Sequence, residues 1–320
     1  MKALSRQSHL ASLISIAIAA GVVVAIAASD SPAALWRAAE HMHPIWLLAA
    51  LGVELVAYLG YALAYRATLQ ATGEHTFPLM LAIRLVVAGF GPFVPLGGFA
   101  FDRHALRAVH RSARNARRQV LALGVIEYGL LAPAACVCAL ILLVESNRAS
   151  PVLTVPWAVA VPLGFAVAWW ATEPQVLDWF HRPGGGPIRR WMADLLDGFK
   201  VLRDAVMRPL ERPWAIGGMA IYWAAEIACL GFALKCFGVV LSVPALVIAY
   251  ATGYAASRRS LPLGGAGVTE ALLTLSLIWV HVHAVPALLS VVAYRLVNFL
   301  APVAPGMVAH SSLAPILEGD

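Results

Sequence analysis

Charged residues are scarce in this chain of 320 residues. Asp, Glu, Lys and Arg together make up 12% of it, whereas hydrophobic types make up 61%. Average soluble domains carry about 25% charged and roughly 45–50% apolar residues. This composition excludes a soluble globular domain and a disordered tail.

Cysteine is also rare. The sequence likewise lacks the common catalytic and nucleotide-binding motifs. The four cysteines lie inside apolar runs, so they are interpreted as packing residues rather than as disulfides or metal ligands. The chain has no P-loop, no H-E-x-x-H motif and no G-x-S-x-G elbow. We therefore predict no cofactor, no metal site and no ATP-driven step within the chain, and we expect a protein that is not an enzyme.

Lysine is nearly absent from the basic residues. Only three of the 23 Lys and Arg residues are lysines, and the formal net charge is +6. In a chain this apolar, a basic surplus predicts that the partners are anionic lipid head groups, and no nucleic-acid partner is expected.

Long apolar runs are abundant, and a bilayer core about 30 Å thick takes roughly 20 helical residues. The runs are 10–28, 44–65, 77–94, 119–144, 151–172, 214–239, 243–257, 266–280 and 285–309. Gly89, Gly91 and Pro92 interrupt the third run, which predicts a re-entrant or broken segment. We interpret the first run as an uncleaved helix rather than a signal peptide. The predicted fold class is an all-α polytopic membrane helix bundle with about eight crossing helices.

The distribution of Lys and Arg predicts the orientation. Eighteen of them fall in one set of connecting segments, and only Arg37 and Arg148 fall in the alternate set. Cytoplasmic loops carry the excess of basic residues, so both termini are predicted to be cytoplasmic. This count requires the broken segment to enter and leave on the same side.

Five cytoplasmic arginines recur at steps of four, four, three and four residues, which is the spacing of one helix face. They are Arg103, Arg107, Arg111, Arg114 and Arg118. This stripe either binds the phosphates of anionic lipids or reflects the ordinary excess of basic residues in cytoplasmic loops.

A second cytoplasmic stretch, 188–210, has an apolar face with charges opposite, which predicts an interfacial amphipathic helix. The Gly/Pro-rich loop 181–187 precedes it. We expect one membrane domain over 1–320, with possible halves 1–180 and 188–310.

The tetrapeptide Pro-Leu-Gly-Gly occurs twice, at 95–98 and 262–265, and an acid follows each copy, Asp102 or Glu270. Paired Gly/Pro-interrupted apolar segments are a pointer to a transporter's binding site. The N–H groups at the following helix start can bind an anion, and helix capping explains the acid equally well. The two copies of this pattern predict an internal two-fold repeat, either parallel or inverted.

Several charges lie inside apolar runs, where each costs on the order of 3 kcal/mol unless it faces a cavity or a partner. Arg295 is ten residues into its run, and we predict that Glu270 is its partner. Glu54, Glu127 and Glu226 are either functional acids or neutral, hydrogen-bonded packing residues. We expect the fixed charges and the glycine-rich helix starts to converge in one hydrated cavity.

Two motifs give the chain a family resemblance. Residues 260–273 resemble the P-x-G-G-x-G-x-x-E-A signature of the lysylphosphatidylglycerol synthase transmembrane, flippase-like family. Residues 294–302 resemble its Y-R-x-x-N/T-[FY]-W-x-P element, although Leu300 replaces the usual Trp. The resemblance covers roughly 75–302. In the first half, Glu127 is followed by Tyr128, whereas members of the family often have an arginine at that position.

This resemblance implies the stand-alone lipid-handling part of the family, without the aminoacyl-transferase domain, in the bacterial cytoplasmic (inner) membrane. It implies translocation of an anionic or lipid-linked amphiphile, with phospholipid or another lipid as the partner, for envelope lipid synthesis. One alternative is an intramembrane transferase that uses Glu127 with Arg103. Another is a membrane module that recruits a lipid synthase through 188–210.

The candidate residues for binding a lipid head group or lining the cavity lie at the predicted helix starts, among the cytoplasmic arginines, inside apolar runs or in the family motifs. They are Gly97, Gly98, Asp102, Arg103, Arg107, Glu127, Arg258, Arg259, Gly264, Gly265, Gly267, Glu270, Arg295 and Asn298.

Overall fold

A computed structural model describes residues 36, 40–73, 76–90, 98–110, 113–145, 149–182, 184, 186–253 and 267–317. The predicted first helix, 10–28, lies outside these residues, so the count of eight crossing helices stays a prediction. Every regular element in the described part of the chain is a helix. This confirms the all-α helix bundle.

The helices are numbered here in chain order. They are α1 (Ile45–Ala71), α2 (Leu79–Phe90), α3 (Gly98–His110), α4 (Ala113–Val144), α5 (Pro151–Ala171), α6 (Pro174–His181), α7 (Pro187–Met207), α8 (Pro213–Cys236), α9 (Val243–Gly253), α10 (Val268–Trp279), α11 (Ala284–Leu300) and α12 (Val303–Leu317).

Five apolar segments in the described residues are long enough to cross a bilayer. They are α1, α4, α5, α8 and the stretch Ala284–Leu313, which joins α11 to most of α12. Each coincides with a predicted apolar run. The last run differs in detail because a turn at Ala301 and Pro302 divides it into two helices.

Three short apolar helices, α2, α9 and α10, contain 11 or 12 residues each. They are shorter than the roughly 20 residues that a single crossing requires. The first Pro-Leu-Gly-Gly copy lies between α2 and the start of α3, and the second lies between α9 and α10. In chain order, a short helix therefore precedes and follows each copy, while residues 95–97 and 262–265 lie outside the described part of the chain.

Close glycine packing joins α1 to α8. A Cβ atom on Gly218 would lie 2.6 Å from the carbonyl oxygen of Gly60 and 2.7 Å from the backbone nitrogen of Ala64. Only a residue without a side chain allows the two backbones to approach this closely. Because α1 and α8 come from the two predicted halves, this contact ties those halves together.

The amphipathic helix α7 turns two acids toward the bundle. Asp194 pairs with Arg117 of α4, and Asp197 lies 2.7 Å from Arg118 of the same helix. Asp194 is only 3% exposed. These acids belong to the charged face that the sequence predicted opposite the apolar one, and arginines of α4 provide partners for them.

The predicted arginine stripe does not lie on one helix. Arg103 and Arg107 belong to α3, whereas Arg114 and Arg118 belong to α4. Arg111 lies outside the described residues. The single helical face was wrong because α3 ends at His110 and α4 begins at Ala113.

We predict that Gly218→Ala lowers the melting temperature of the purified protein by several degrees. The added methyl group would meet backbone atoms of α1, and overpacking of this kind typically costs about 1–3 kcal/mol. Gly217→Ala is the matched control, because a Cβ atom there meets nothing within 4 Å. Equal melting temperatures for the two variants in thermal unfolding would contradict the close contact.

Candidate functional site

Glu270 and Arg295 form an ion pair inside the bundle. The Nε atom of Arg295 lies 2.6 Å from Oε1 of Glu270, and the Arg295 side chain is 5% exposed. This confirms the pairing that the sequence predicted. Because arginine does not lose its proton in proteins, a buried guanidinium requires such a carboxylate partner.

Glu270 also closes the start of α10. Its Oε2 atom accepts a hydrogen bond from the N–H of Gly267. Gly267 has a φ of +92°, a backbone conformation that other residues rarely adopt. Glu270 therefore both caps the helix and forms the ion pair. Its Oε2 atom caps α10, and its Oε1 atom pairs with Arg295.

A second polar cluster lies between α1, α8 and α11. The Nδ2 atom of Asn298 lies 2.8 Å from Oε1 of Glu54 and 3.4 Å from Oε2 of Glu226. Both glutamates are fully buried, and Asn298 is 4% exposed. An amide nitrogen carries two hydrogens, so Asn298 can donate one hydrogen bond to each carboxyl group.

Tyrosine hydroxyl groups complete this cluster. The Tyr294 hydroxyl lies 2.6 Å from Oε2 of Glu226, and the Tyr250 hydroxyl lies 3.3 Å from the same atom. The Tyr58 hydroxyl donates to the backbone oxygen of Asn298 at 3.3 Å. The helices α1, α8, α9 and α11 thus share one hydrogen-bonded core.

Glu127 forms a separate buried contact. Its Oε2 atom accepts a hydrogen bond from the Tyr61 hydroxyl at 2.8 Å, and its backbone oxygen accepts one from Nε1 of Trp223 at 2.7 Å. Glu127 is 1% exposed. These bonds connect α4 with α1 and α8.

Sequence reasoning placed Glu54 and Glu226 outside the candidate set, although the structure joins them directly to the candidate Asn298. Their position inside apolar runs is the same signal that selected Glu127. The tyrosines gave no such signal, because an aromatic residue in a membrane helix is ordinary.

An apolar cavity of about 1120 Å³ lies between α3, α4, α5 and α7. Aromatic side chains contribute much of its wall, and Arg103 and Arg117 are the charged residues that line it. The aromatic residues are Phe99, Tyr128, Trp157, Phe165, Trp191 and Phe199.

A second cavity of about 1180 Å³ adjoins the first and shares Ala100, Arg103 and Arg117 with it. Basic residues dominate its lining, so we call it the arginine basin. They are Arg103, Arg107, Arg114, Arg117, Arg182 and Arg190, together with His104 and His181. Asp194 is the one acid among the described residues that line it. The predicted candidates Arg103 and Arg107 thus face one cavity.

The ion pair and the arginine basin are separate features. Neither Glu270 nor Arg295 lines the apolar cavity or the basin. We expected all fixed charges to line one shared cavity, and neither of these two cavities contains them all. Glu127 likewise lines neither cavity.

The glycine-rich candidates are only partly described. Gly98 begins α3, and Asp102 follows it on the same helix with no exposed surface. Five further candidates lie outside the described residues. These are Gly97, Arg258, Arg259, Gly264 and Gly265.

Comparison with known proteins identifies one family. The family described as "Lysylphosphatidylglycerol synthase TM region" matches residues 12–306, which include both Pro-Leu-Gly-Gly copies and the Glu270–Arg295 pair. No curated protein matches the chain.

A double-mutant cycle tests the ion pair. Glu270→Gln and Arg295→Met should each lower the melting temperature markedly, because removing one partner of a buried pair leaves the other uncompensated at a cost of about 3–5 kcal/mol. The double variant should lose less than the sum of the two single losses, since it leaves neither charge behind. Glutamine keeps an oxygen that can accept the Gly267 hydrogen bond. Strictly additive losses in thermal unfolding would show that the pair contributes no coupling.

Proposed function

Since the chain belongs to the Lysylphosphatidylglycerol synthase TM region family, we propose that it is an integral membrane protein that binds an amphiphile with an anionic head group and moves it between leaflets. Its action is non-enzymatic. The cargo class is a phospholipid or a lipid-linked compound used in building the cell envelope.

The observation that supports this proposal best is the pair of joined cavities. Membrane lipids have an apolar part and a polar head, and the cavities offer a compartment for each. The apolar cavity alone, at about 1120 Å³, exceeds the roughly 300–1,000 Å³ of pockets for drug-sized ligands. Arg103 and Arg117 stand where the two compartments meet.

The position of the basic residues supports entry from the cytoplasmic leaflet. All six arginines of the basin belong to the segments that the basic-residue count assigns to the cytoplasm. A lipid of that leaflet would insert its chains between α3, α4, α5 and α7 and leave its head group in the basin.

Helix α7 forms one wall of both compartments. Trp191, Leu195 and Phe199 line the apolar cavity, and Arg190 and Asp194 line the basin. The pairs that Asp194 and Asp197 make with α4 hold this wall in place.

Glu270 and Arg295 contribute to transport in this proposal as a fixed charge pair beyond the entry cavities. An arriving anionic head group would compete with Glu270 for Arg295, and the displaced carboxylate would have to take up a proton so that no isolated charge stays in the interior.

The described residues give less support to the two alternative functions. A transferase that uses Glu127 with Arg103 would need both residues at one cavity, but Glu127 lines neither of the cavities that Arg103 lines. Recruitment of a synthase through the polar face of α7 would have to use the exposed Asp204 and Lys200, because Asp194 and Asp197 pair with α4.

We predict that Gly164→Phe reduces the amount of lipid that co-purifies with the protein. Gly164 lines the apolar cavity, and a Cβ atom there meets nothing within 4 Å, so a larger side chain can start at this wall and take up cavity space. Gly52→Phe is the control, because Gly52 also faces open space but lines neither cavity. Native mass spectrometry of mildly purified protein should show depleted lipid adducts for Gly164→Phe alone. Unchanged adducts in that variant would argue against a lipid in this cavity.

Leaflet exchange in proteoliposomes tests the transport step. The wild-type protein should accelerate the exchange of a fluorescent anionic phospholipid, measured by chemical reduction of the label in the outer leaflet. Gly164→Phe, Glu270→Gln and Arg295→Ala should reduce exchange to the protein-free rate, whereas Arg208→Gln, an exposed residue outside both cavities, should not. Normal exchange in both ion-pair variants, reconstituted in equal amounts, would overturn their role in transport.

A further inference from the structure

We propose that the arginine basin selects a lipid whose head group carries at least two negative charges, a phosphomonoester or a diphosphate, over lipids with a single phosphodiester. This inference rests on the proposed function, because it assigns the head group of the lipid that the apolar cavity holds.

The charge balance of the basin is the first support. Among the residues that the structure describes, six arginines and a single carboxylate, that of Asp194, line it. Among the described residues, that carboxylate already pairs with Arg117. No other described acid pairs with Arg103, Arg107, Arg114 or Arg190. Like charges that share a cavity repel one another, so a bound anion would stabilise this arrangement.

The chemistry of arginine is the second support. A guanidinium group presents several N–H donors in a planar fork, which matches the oxygen atoms of a phosphate. A phosphomonoester offers three such oxygens and a charge of about −1.5 to −2 at neutral pH. A phosphodiester carries a single negative charge, and a zwitterionic head group carries no net charge. Four arginines that have no carboxylate partner among the described residues exceed what one phosphodiester can neutralise.

The position of the arginines is the third support. Arg103 and Arg117 line both cavities, whereas Arg107, Arg114 and Arg190 line the basin alone. The phosphate attached to the acyl or isoprenoid chain would therefore contact Arg103 and Arg117, and further charge would reach the outer arginines. Basic residues that only fix the membrane topology could lie anywhere on the cytoplasmic side. They would not need to line a cavity that continues into an apolar one.

The experiment compares three lipids with identical acyl chains, phosphatidic acid, phosphatidylglycerol and phosphatidylcholine, bound to the full-length protein in detergent. Native mass spectrometry at constant pH and salt gives their relative affinities. Phosphatidic acid should bind about tenfold more tightly than phosphatidylglycerol, as expected for an added charge-assisted contact. Phosphatidylcholine should bind most weakly.

Two charge-matched double variants test which arginines cause the preference. Arg103→Gln with Arg107→Gln should bring the ratio of phosphatidic acid to phosphatidylglycerol binding close to one. Lys200→Gln with Arg208→Gln removes the same total charge from residues that line neither cavity, and it should leave the ratio unchanged. An equal loss of the preference in both pairs would overturn the assignment to the basin.

The remaining outcomes separate this inference from the proposed function. Equal binding of phosphatidic acid and phosphatidylglycerol to the wild type, with both lost in Gly164→Phe, would overturn the head-group assignment and leave the lipid cavity standing. Binding of none of the three lipids would overturn the proposed function as well. Inorganic pyrophosphate that binds the wild type as tightly as phosphatidic acid would show that the basin takes free phosphates rather than lipids.

Discussion

The structure depends on one constraint, which is that a polar side chain buried in a membrane protein has to find its partners within the protein. Glu54, Glu226 and Asn298 satisfy it together, on three helices that are far apart in sequence. Their hydrogen bonds require α1, α8 and α11 to stand side by side. The glycine contact between Gly60 and Gly218 brings the first two of these helices close enough for that arrangement.

The same constraint explains what could be predicted from the sequence. The apolar runs predicted the positions of the long helices to within a few residues at most ends, because the thickness of a bilayer fixes how many residues a crossing needs. The Glu270–Arg295 pair could also be predicted, because a buried arginine requires an acid and Glu270 occupies the start of the preceding helix. In both cases a single rule acts on residues that the sequence displays directly.

Features that depend on contacts between distant segments could not be predicted. Asp194 and Asp197 face the bundle because Arg117 and Arg118 of α4 meet them there, 77 residues earlier in the chain for the first pair. The pattern of α7 alone places its charges opposite its apolar face but does not show which helix that charged face meets. The division of the arginine stripe between α3 and α4 and the two joined cavities likewise arise only when four separate helices pack together.

The contrast between the two polar regions indicates where a ligand belongs. In the core, the carboxyl groups of Glu226 and Glu270 each receive hydrogen bonds from neighbouring helices or helix ends, so these groups stabilise the bundle without any added molecule. In the basin, arginines outnumber acids and face a cavity large enough to admit a head group. Folding alone gains little from gathering like charges around a cavity, whereas binding of an anion gains from each of them. The unbalanced charge, rather than the balanced one, is therefore what supports the basin as the entry site in the proposed function.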